Sequence, residues 1–109
     1  MLTLTWNFPN ELGWPNVRMR EKDSGAAPDF TTPDGEHGLT ETGFAFLTEM
    51  ERLGMIVDVS HLSDAGFWDV ARTANKPFVA SHSNARAVCG HVQQHIIIRK
   101  RNIMTLIIK

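Results

Sequence analysis

The sequence predicts an α/β fold in which about three short parallel strands alternate with two intervening helices. The evidence is the order of short β-prone apolar runs and, between them, segments whose apolar residues recur at spacings of three and four. Strands that alternate with helices favour parallel βαβ units with right-handed crossovers. A parallel sheet normally needs more strands and helices on both faces. We therefore expect the chain of 109 residues to be part of a larger α/β architecture.

The first predicted strand spans residues 2–6 and is followed by a long segment with little regular structure. From residue 7 to residue 38 the chain is rich in Pro, Gly, Asn and Asp, and its hydrophobic periodicity is weak. Loops of about 30 residues are far longer than most connections and are usually functional or disordered. We predict one long loop over 7–38 that either contributes to function or lacks order.

Two helices are predicted after this loop. The first begins after Thr40, a residue type that caps helix N-termini, and ends at Gly54. The second begins after Ser63, covers Asp64–Thr73 and is followed by the helix breaker Pro77. Apolar residues recur at helical spacing on one face of each helix. The expected buried residues are Phe44, Leu47, Met50 and Leu53 in the first helix, and Phe67, Val70 and Ala71 in the second.

Two further strands are predicted next to the helices. Residues 55–60 form a nearly continuous apolar run, which is typical of a strand buried on both faces. Residues 78–81 are predicted as a third short strand, and residues 84–89 as one more helical turn. The expected buried residues of the middle strand are Met55, Ile56, Val57 and Val59.

The composition restricts the classes of function. The chain has 11 Lys and Arg against 12 Asp and Glu, whereas nucleic-acid-binding domains usually have a basic excess. Cys89 is the one cysteine, so an internal disulfide is excluded, and we expect a buried, unreactive thiol. The sequence has no recognisable signal peptide, and no apolar run approaches the roughly 18–20 residues that span a bilayer. We expect a cytoplasmic chain with no membrane segment and no nucleic-acid partner.

Two histidines follow predicted strands in matching positions. His61 comes directly after the strand at 55–60, and His82 directly after the strand at 78–81. The carboxyl ends of neighbouring parallel strands lie on one face, where the active sites of α/β proteins are found. Adjacent strands are about 4.8 Å apart, so both imidazoles could reach one ion such as zinc. The pattern leaves two alternatives open, a shared metal ion or two separate structural histidines.

Two more residues are candidates for roles at this face. Asp58 lies among apolar neighbours on the middle strand, where a carboxylate must be paired or hydrogen-bonded. It either orients His61 or a neighbouring ligand, or makes a structural hydrogen bond to a nearby loop. Trp6 ends the first strand on the same face and could wall a pocket. The other histidines, His37, His91 and His95, lie in loop or tail sequence and are not expected to be ligands.

Three strings occur in order from residue 2 to about residue 91: LTLTWN, GLTETGFAFLTEMERLGMIVDVSHLSD and KPFVASHSNARAVC. Together they resemble the membrane (renal) dipeptidase family of zinc-dependent peptidases. The resemblance implies a (β/α)8, TIM-type barrel, of which this chain would form part. It also implies two zinc ions in the complete site and hydrolysis of dipeptides by a metal-activated water.

The resemblance assigns roles to residues of this sequence. His61 of the DVSH string and His82 of the SHS string match the family's metal ligands. Trp6 matches a substrate-contacting position that is histidine in mammalian members, which implies a substrate-binding role.

The sequence also departs from the family pattern. The family's His-x-Asp pair, its bridging glutamate and a late aspartate have no counterpart here, and Gln93 stands where the family has a substrate-binding arginine. We expect residues 1–91 to be a partial barrel domain and residues 92–109 a divergent tail, with a frameshift as one explanation. At most one partial zinc site is implied, so we expect a truncated chain that is inactive alone. The alternative is a non-catalytic remnant that binds or complements a partner chain. The expected partners of such a chain are a second copy of itself or a complementing fragment.

Overall fold

The computed structural model describes residues 1–16 and 34–82, which contain two short strands and two helices. In chain order these are β1 (Leu2–Thr3), α1 (Glu41–Arg52), β2 (Val57–Asp58) and α2 (Asp64–Thr73). β1 and β2 are parallel, with Leu2 opposite Val57 and Thr3 opposite Asp58. On the other side of β2, Asp58 forms an isolated parallel bridge with Val79. The parallel α/β arrangement predicted from the sequence is therefore present, with β2 in the middle.

The strands are shorter than predicted. The middle strand was expected over residues 55–60 with Met55 and Ile56 buried, but these two side chains are 38% and 48% exposed. The prediction was wrong because the chain is still completing the C-terminal cap of α1 at Met55, whose amide donates to the Met50 carbonyl at 2.8 Å, and β2 begins only at Val57. The predicted third strand reduces to the bridge at Val79, where Val59 N–H donates to the Val79 carbonyl at 2.8 Å.

Helix α1 begins and ends as its local sequence predicts. The Thr40 hydroxyl accepts a hydrogen bond from the Gly43 amide at 3.0 Å, and Gly54 adopts a left-handed φ of 72° just beyond the C-cap. Leu47 and Met50 are buried, as expected. Leu53 is 57% exposed, so its assignment to the core was wrong. It is the C-cap residue, beyond the last full turn, and no longer lies on the buried face.

Helix α2 has the predicted limits, Asp64–Thr73, and the predicted cap, since the Ser63 hydroxyl accepts from the Gly66 amide at 3.0 Å. Val70 is fully buried, and Phe67 and Ala71 pack partly buried against the core. The core lies between the helices and the strands and comprises Leu4, Leu47, Met50, Val57, Val59, Leu62, Val70, Phe78 and Ala80.

The buried carboxylate of Glu51 joins the end of α1 to the segment that leads into the third strand position. Its Oε1 accepts from the backbone amides of Asn75 and Lys76, each at 2.8 Å. Charge-assisted bonds to two backbone donors satisfy a group that would otherwise be costly to bury. Glu51 thereby fixes the start of the segment that ends at His82.

The described ends of the long loop pack on the turn between β2 and α2. The Asn16 amide donates to the His61 carbonyl at 2.8 Å, and the Ser63 amide donates to the Trp14 carbonyl at 2.9 Å. The Ala65 amide donates to the carbonyl of Asp34, from the other end of the loop, at 3.1 Å. The middle of the loop, the helical turn expected at 84–89, Cys89 and the tail at 92–109 lie outside the described residues. In the described part of the chain, no helix is long and apolar enough to cross a membrane.

Replacing Gly43 with alanine is expected to destabilise the chain by about 1–3 kcal/mol, as overpacking typically does. A Cβ at this position would lie 2.0 Å from the Leu12 carbonyl oxygen. That oxygen also accepts from the Thr40 amide at 3.0 Å, so it is not free to move away. The clash outweighs the gain of about 1 kcal/mol that alanine normally brings to a helix interior. Urea unfolding followed by circular dichroism measures the change.

The matched control for this substitution is Thr42→Ala, which removes an exposed side chain from the same helical turn. It should leave the urea midpoint unchanged or raise it slightly, because alanine has the higher helix propensity. A Gly43→Ala protein as stable as this control would show that the loop at Leu12 does not press on α1.

Candidate functional site

The structure brings together the two histidines that the sequence singled out. His61 follows β2, and His82 follows the bridge position at Val79, so both lie at the carboxyl edge of the parallel strands. The Nε2 atoms of the two rings are 2.7 Å apart, and the ring centroids are 4.6 Å apart. The shared edge of neighbouring parallel strands produces this contact, as the sequence argument expected.

The backbone of His61 is held in an unusual conformation. Its φ is 66°, in the left-handed region that non-glycine residues occupy rarely and at a cost of about 1–3 kcal/mol. The hydrogen bond from the Asn16 amide to the His61 carbonyl and the antiparallel bridge between Pro15 and Leu62 hold it there. The long loop therefore fixes the turn that carries His61, a role that no local sequence signal indicates.

Asp58 is 1% exposed and is hydrogen-bonded to Ser60 and Ser81, the residues that directly precede the two histidines. Its Oδ1 accepts from the Ser60 amide at 3.0 Å, the Ser60 hydroxyl at 2.8 Å and the Ser81 amide at 3.1 Å. Its Oδ2 accepts from the Thr3 hydroxyl at 3.1 Å and the Ser81 hydroxyl at 2.5 Å. Burial opposes ionisation, but the hydrogen bonds from Ser81 and Ser60 outweigh it and lower the pKa of Asp58 to about 2. The carboxylate is therefore ionised at neutral pH.

Ser81 connects this carboxylate to one of the histidines. Its hydroxyl lies 2.7 Å from His82 Nδ1 in addition to its bond with Asp58. The His82 backbone amide donates to the Ser60 hydroxyl at 3.2 Å, which fixes the main chain as well as the ring. The sequence analysis missed Ser81 as a site residue. A serine before a strand-end histidine was the available signal, but serine is common in turns and carries little information alone.

The electrostatic environment of His61 favours its neutral form. Burial lowers the pKa of His61 most, and the neighbouring His82 lowers it further, while Asp58 acts in the opposite direction. A neutral imidazole has an unprotonated ring nitrogen, which is the form that binds a metal ion.

A cleft of about 420 Å³ opens over the two histidines. Trp6, 66% exposed, lies along its wall. The lining residues are Thr3, Leu4, Thr5, Trp6, Asn10, His61 and His82. A volume of this size lies in the range of small-molecule sites.

The two imidazoles fit a zinc ion in chemistry but form only part of a ligand set. Two nitrogens on one tetrahedral zinc, each at about 2.0–2.1 Å, lie about 3.3 Å apart, so the Nε2 atoms need separate by only about 0.6 Å. Catalytic zinc usually has three protein ligands. Residues 1–16 and 34–82 contain no group of three or more His, Cys, Asp or Glu side chains that could hold a metal. His37 lies elsewhere, 3.0 Å from Asp34 and stacked on Trp14, while His91 and His95 are outside the described residues.

Comparison with known proteins decides the family. A sequence model of the membrane dipeptidase family, peptidase family M19, matches residues 1–96. The chain belongs to the membrane dipeptidase family. An uncharacterised protein of the pqqA 5′ region in Klebsiella pneumoniae is 39% identical over 85 residues, which are 77% of this chain and 28% of that protein. Dipeptidase tcpJ of Claviceps purpurea is 39% identical over 66 residues, 58% of this chain and 16% of that protein.

Solved structures of membrane dipeptidase relatives agree with this assignment. A metallopeptidase from Rhodobacter sphaeroides, liganded with a phosphinate mimic of the dipeptide L-Ala-D-Ala, matches with a TM-score of 0.67 and 34% identity. The match covers 86% of this chain and 24% of the Rhodobacter sphaeroides protein. The dipeptidase AC of family M19 matches with a TM-score of 0.62 and 35% identity over 81% of this chain and 23% of that one.

These comparisons also place the fold. Family M19 dipeptidases are TIM-type barrels, and the small parallel sheet and two helices described here are consistent with one part of such a barrel. The family is one of metallopeptidases that are generally zinc-dependent. The chain spans about a quarter of the length of these solved relatives.

Proposed function

We propose that this chain provides part of the active site of a zinc-dependent dipeptidase, with His61 and His82 as metal ligands. The observation that carries the proposal is the 2.7 Å approach of their Nε2 atoms at the carboxyl edge of a parallel sheet, in a chain of family M19. Both rings face the same cleft. We propose two zinc ions in the complete site, as the family resemblance implies, of which this chain holds at most one partial site.

The residues around the histidines fit this role. When bound, zinc supplies an activated water near neutral pH and polarises a substrate carbonyl. Asp58 and Ser81 hold the His82 ring, and the loop bond from Asn16 holds the His61 backbone. Such supporting contacts orient ligands and raise their basicity.

The cleft supports a dipeptide as the substrate. The Rhodobacter sphaeroides relative was solved with a mimic of L-Ala-D-Ala, and the cleft here, at about 420 Å³, accommodates a ligand of that class. Trp6 offers an exposed aromatic face along one wall. We propose that it contacts an apolar side chain of the dipeptide, since aromatic rings contribute large contact areas.

A segment exchange tests the proposal. Residues 1–82 of this chain replace the aligned segment of the Rhodobacter sphaeroides metallopeptidase, and release of free amino acids from a dipeptide panel is measured with added zinc. We expect the chimera to hydrolyse dipeptides and its His61→Ala and His82→Ala forms to lose at least about 100-fold in rate, because metal-ion catalysis needs its ligands. The 109-residue chain alone should show no hydrolysis, because its described residues hold two ligands.

The controls separate the outcomes. A chimera carrying Glu49→Gln, a change at an exposed position of α1, should keep its rate. A folded chimera without activity would contradict the proposal and favour the alternative, a non-catalytic remnant that binds or complements a partner chain. Hydrolysis by the 109-residue chain that disappears in both histidine variants would overturn the expectation that it is inactive alone.

A further inference from the structure

A continuous row of hydrogen-bonding groups joins the buried Asp58 carboxylate to both histidines. Asp58 Oδ2 lies 2.5 Å from the Ser81 hydroxyl, and the same hydroxyl lies 2.7 Å from His82 Nδ1. At the far side of the ring, His82 Nε2 lies 2.7 Å from His61 Nε2. Each of these three links needs one proton, so the direction of one link determines the next.

The direction is set at the carboxylate. An ionised carboxylate can only accept hydrogen bonds, and Asp58 is buried with five donors around it. The single hydroxyl proton of Ser81 therefore points to Asp58. Ser60 Oγ is a poorer acceptor for this proton, because it lies 3.5 Å away and itself donates to Asp58 Oδ1 at 2.8 Å. The Ser81 oxygen must then accept from His82, whose Nδ1 carries the proton.

The same count of protons determines the direction of the hydrogen bond between the two histidine rings. A neutral imidazole has one N–H and one acceptor nitrogen, so His82 Nε2 is the acceptor. The nitrogen facing it, His61 Nε2, must then donate. We propose that Ser81, backed by Asp58, is a positioning residue that holds His82 as its Nδ1–H tautomer, while His61 in the metal-free chain is held as its Nε2–H tautomer.

The proposal gives the two ligands different roles on metal binding, a consequence that rests on the proposed function. A ligating nitrogen must carry no proton. His82 Nε2 already carries no proton, so His82 binds without a change of tautomer and loses only the hydrogen bond from His61. His61 stays neutral but must lose its proton from Nε2 and regain one at Nδ1. The tautomers themselves are a property of the metal-free chain and do not depend on that function.

Nitrogen-15 NMR of the histidine rings in the metal-free 109-residue chain tests the proposal. The spectra are recorded with a chelator present at about pH 8, above the ordinary histidine pKa of about 6.5, and are assigned with His61→Gln and His82→Gln. We expect Nδ1–H for His82 and Nε2–H for His61. In Ser81→Ala the Nδ1–H form of His82 should fall to a minority, while Ser81→Thr, which keeps the hydroxyl, should match the wild type.

Two further variants show whether the tautomer of His82 depends on Ser81 and Asp58 specifically or on any hydrogen bond in this region. Ser60→Ala removes the hydroxyl that donates to Asp58 Oδ1 but leaves the contact of Ser81 with the His82 ring, so the tautomers should not change. Asp58→Asn should reverse them. The amide oxygen takes the Oδ1 position, where two backbone amides donate, so the amide N–H₂ faces Ser81. The Ser81 hydroxyl would then donate to His82 Nδ1 and leave the proton on Nε2.

The outcomes are decisive even if one variant fails to fold. An Nε2–H tautomer of His82 in the wild type, or an unchanged Nδ1–H tautomer in folded Ser81→Ala or Asp58→Asn, would overturn the proposal. The dipeptide assay of the chimera is read separately. Tautomers as expected, together with a folded chimera that hydrolyses no dipeptide, would contradict the proposed function and leave the inference about Ser81 intact.

Discussion

Asp58→Ala is expected to lower the free energy of unfolding by at least about 3 kcal/mol, because each buried donor left without a partner costs about 1–3 kcal/mol. The substitution removes the acceptor of two backbone amides and three hydroxyls, those of Thr3, Ser60 and Ser81, in a side chain that is 1% exposed. Whole domains are stable by only about 5–15 kcal/mol. The loss is therefore a large part of the total, and urea unfolding followed by circular dichroism measures it.

Asp58→Asn is the matched control because it keeps the shape and one acceptor oxygen. It should cost less than Asp58→Ala, since the donors at the Oδ1 position keep their partner. Equal urea midpoints for wild type and Asp58→Ala would show that the hydrogen bonds around this carboxylate contribute nothing to the fold.

Acidification provides a second measurement of the same carboxylate. The folded pKa of Asp58, about 2, is below its ordinary value of 3.8. A depressed folded pKa means stability that is fully present above the unfolded pKa and is lost as the pH falls through the folded one. The wild type should lose on the order of 2 kcal/mol from this group between about pH 5 and pH 2. Asp58→Asn should lack this part of the pH dependence.

Features that depend on interactions between residues close in sequence were predicted more accurately than features that depend on distant residues. Helix α2 lies where it was predicted, because its cap, Ser63, and its apolar spacing act within a few positions. The strand at 55–60 was predicted too long because strand length depends on pairing with distant residues, and Met55 instead bonds to the end of α1. Local pattern shows which residues favour a strand but not where pairing stops.

The same distinction applies to the site. The approach of His61 and His82 was predictable because neighbouring parallel strands place their carboxyl ends together. The bond from Asn16 to the His61 carbonyl and the link through Ser81 were not predictable. They depend on how a long loop and two strand ends approach one another, and asparagine and serine occur in many turns without such roles. Asp58 stood out because a carboxylate within an apolar run must find donors.

Removing either cleft histidine is expected to lower the zinc affinity of the chain by at least about 100-fold. Residues that only support a ligand typically change metal affinity by about 10–100-fold, and loss of a ligand should exceed that range. One remaining imidazole would be no better than an ordinary surface histidine, because the 2.7 Å pairing with its neighbour is what concentrates two donors on one point. Competition with a chromophoric chelator measures the affinities of His61→Ala and His82→Ala.

The order of zinc affinities across the variants distinguishes a specific metal site from nonspecific binding of zinc to histidines. His37→Ala is the matched control, since His37 pairs with Asp34 away from the cleft and its loss should leave zinc affinity unchanged. Ser81→Ala should fall between this control and His82→Ala, with a loss of about 10–100-fold, because the ring remains but its tautomer is no longer set. Equal affinities in His61→Ala, His82→Ala and His37→Ala would mean that zinc binds histidines indiscriminately and that the cleft pair is not a metal centre. Zinc affinity that falls from His37→Ala through Ser81→Ala to His82→Ala would show that the His82 ring and the Ser81 hydroxyl both contribute to zinc binding.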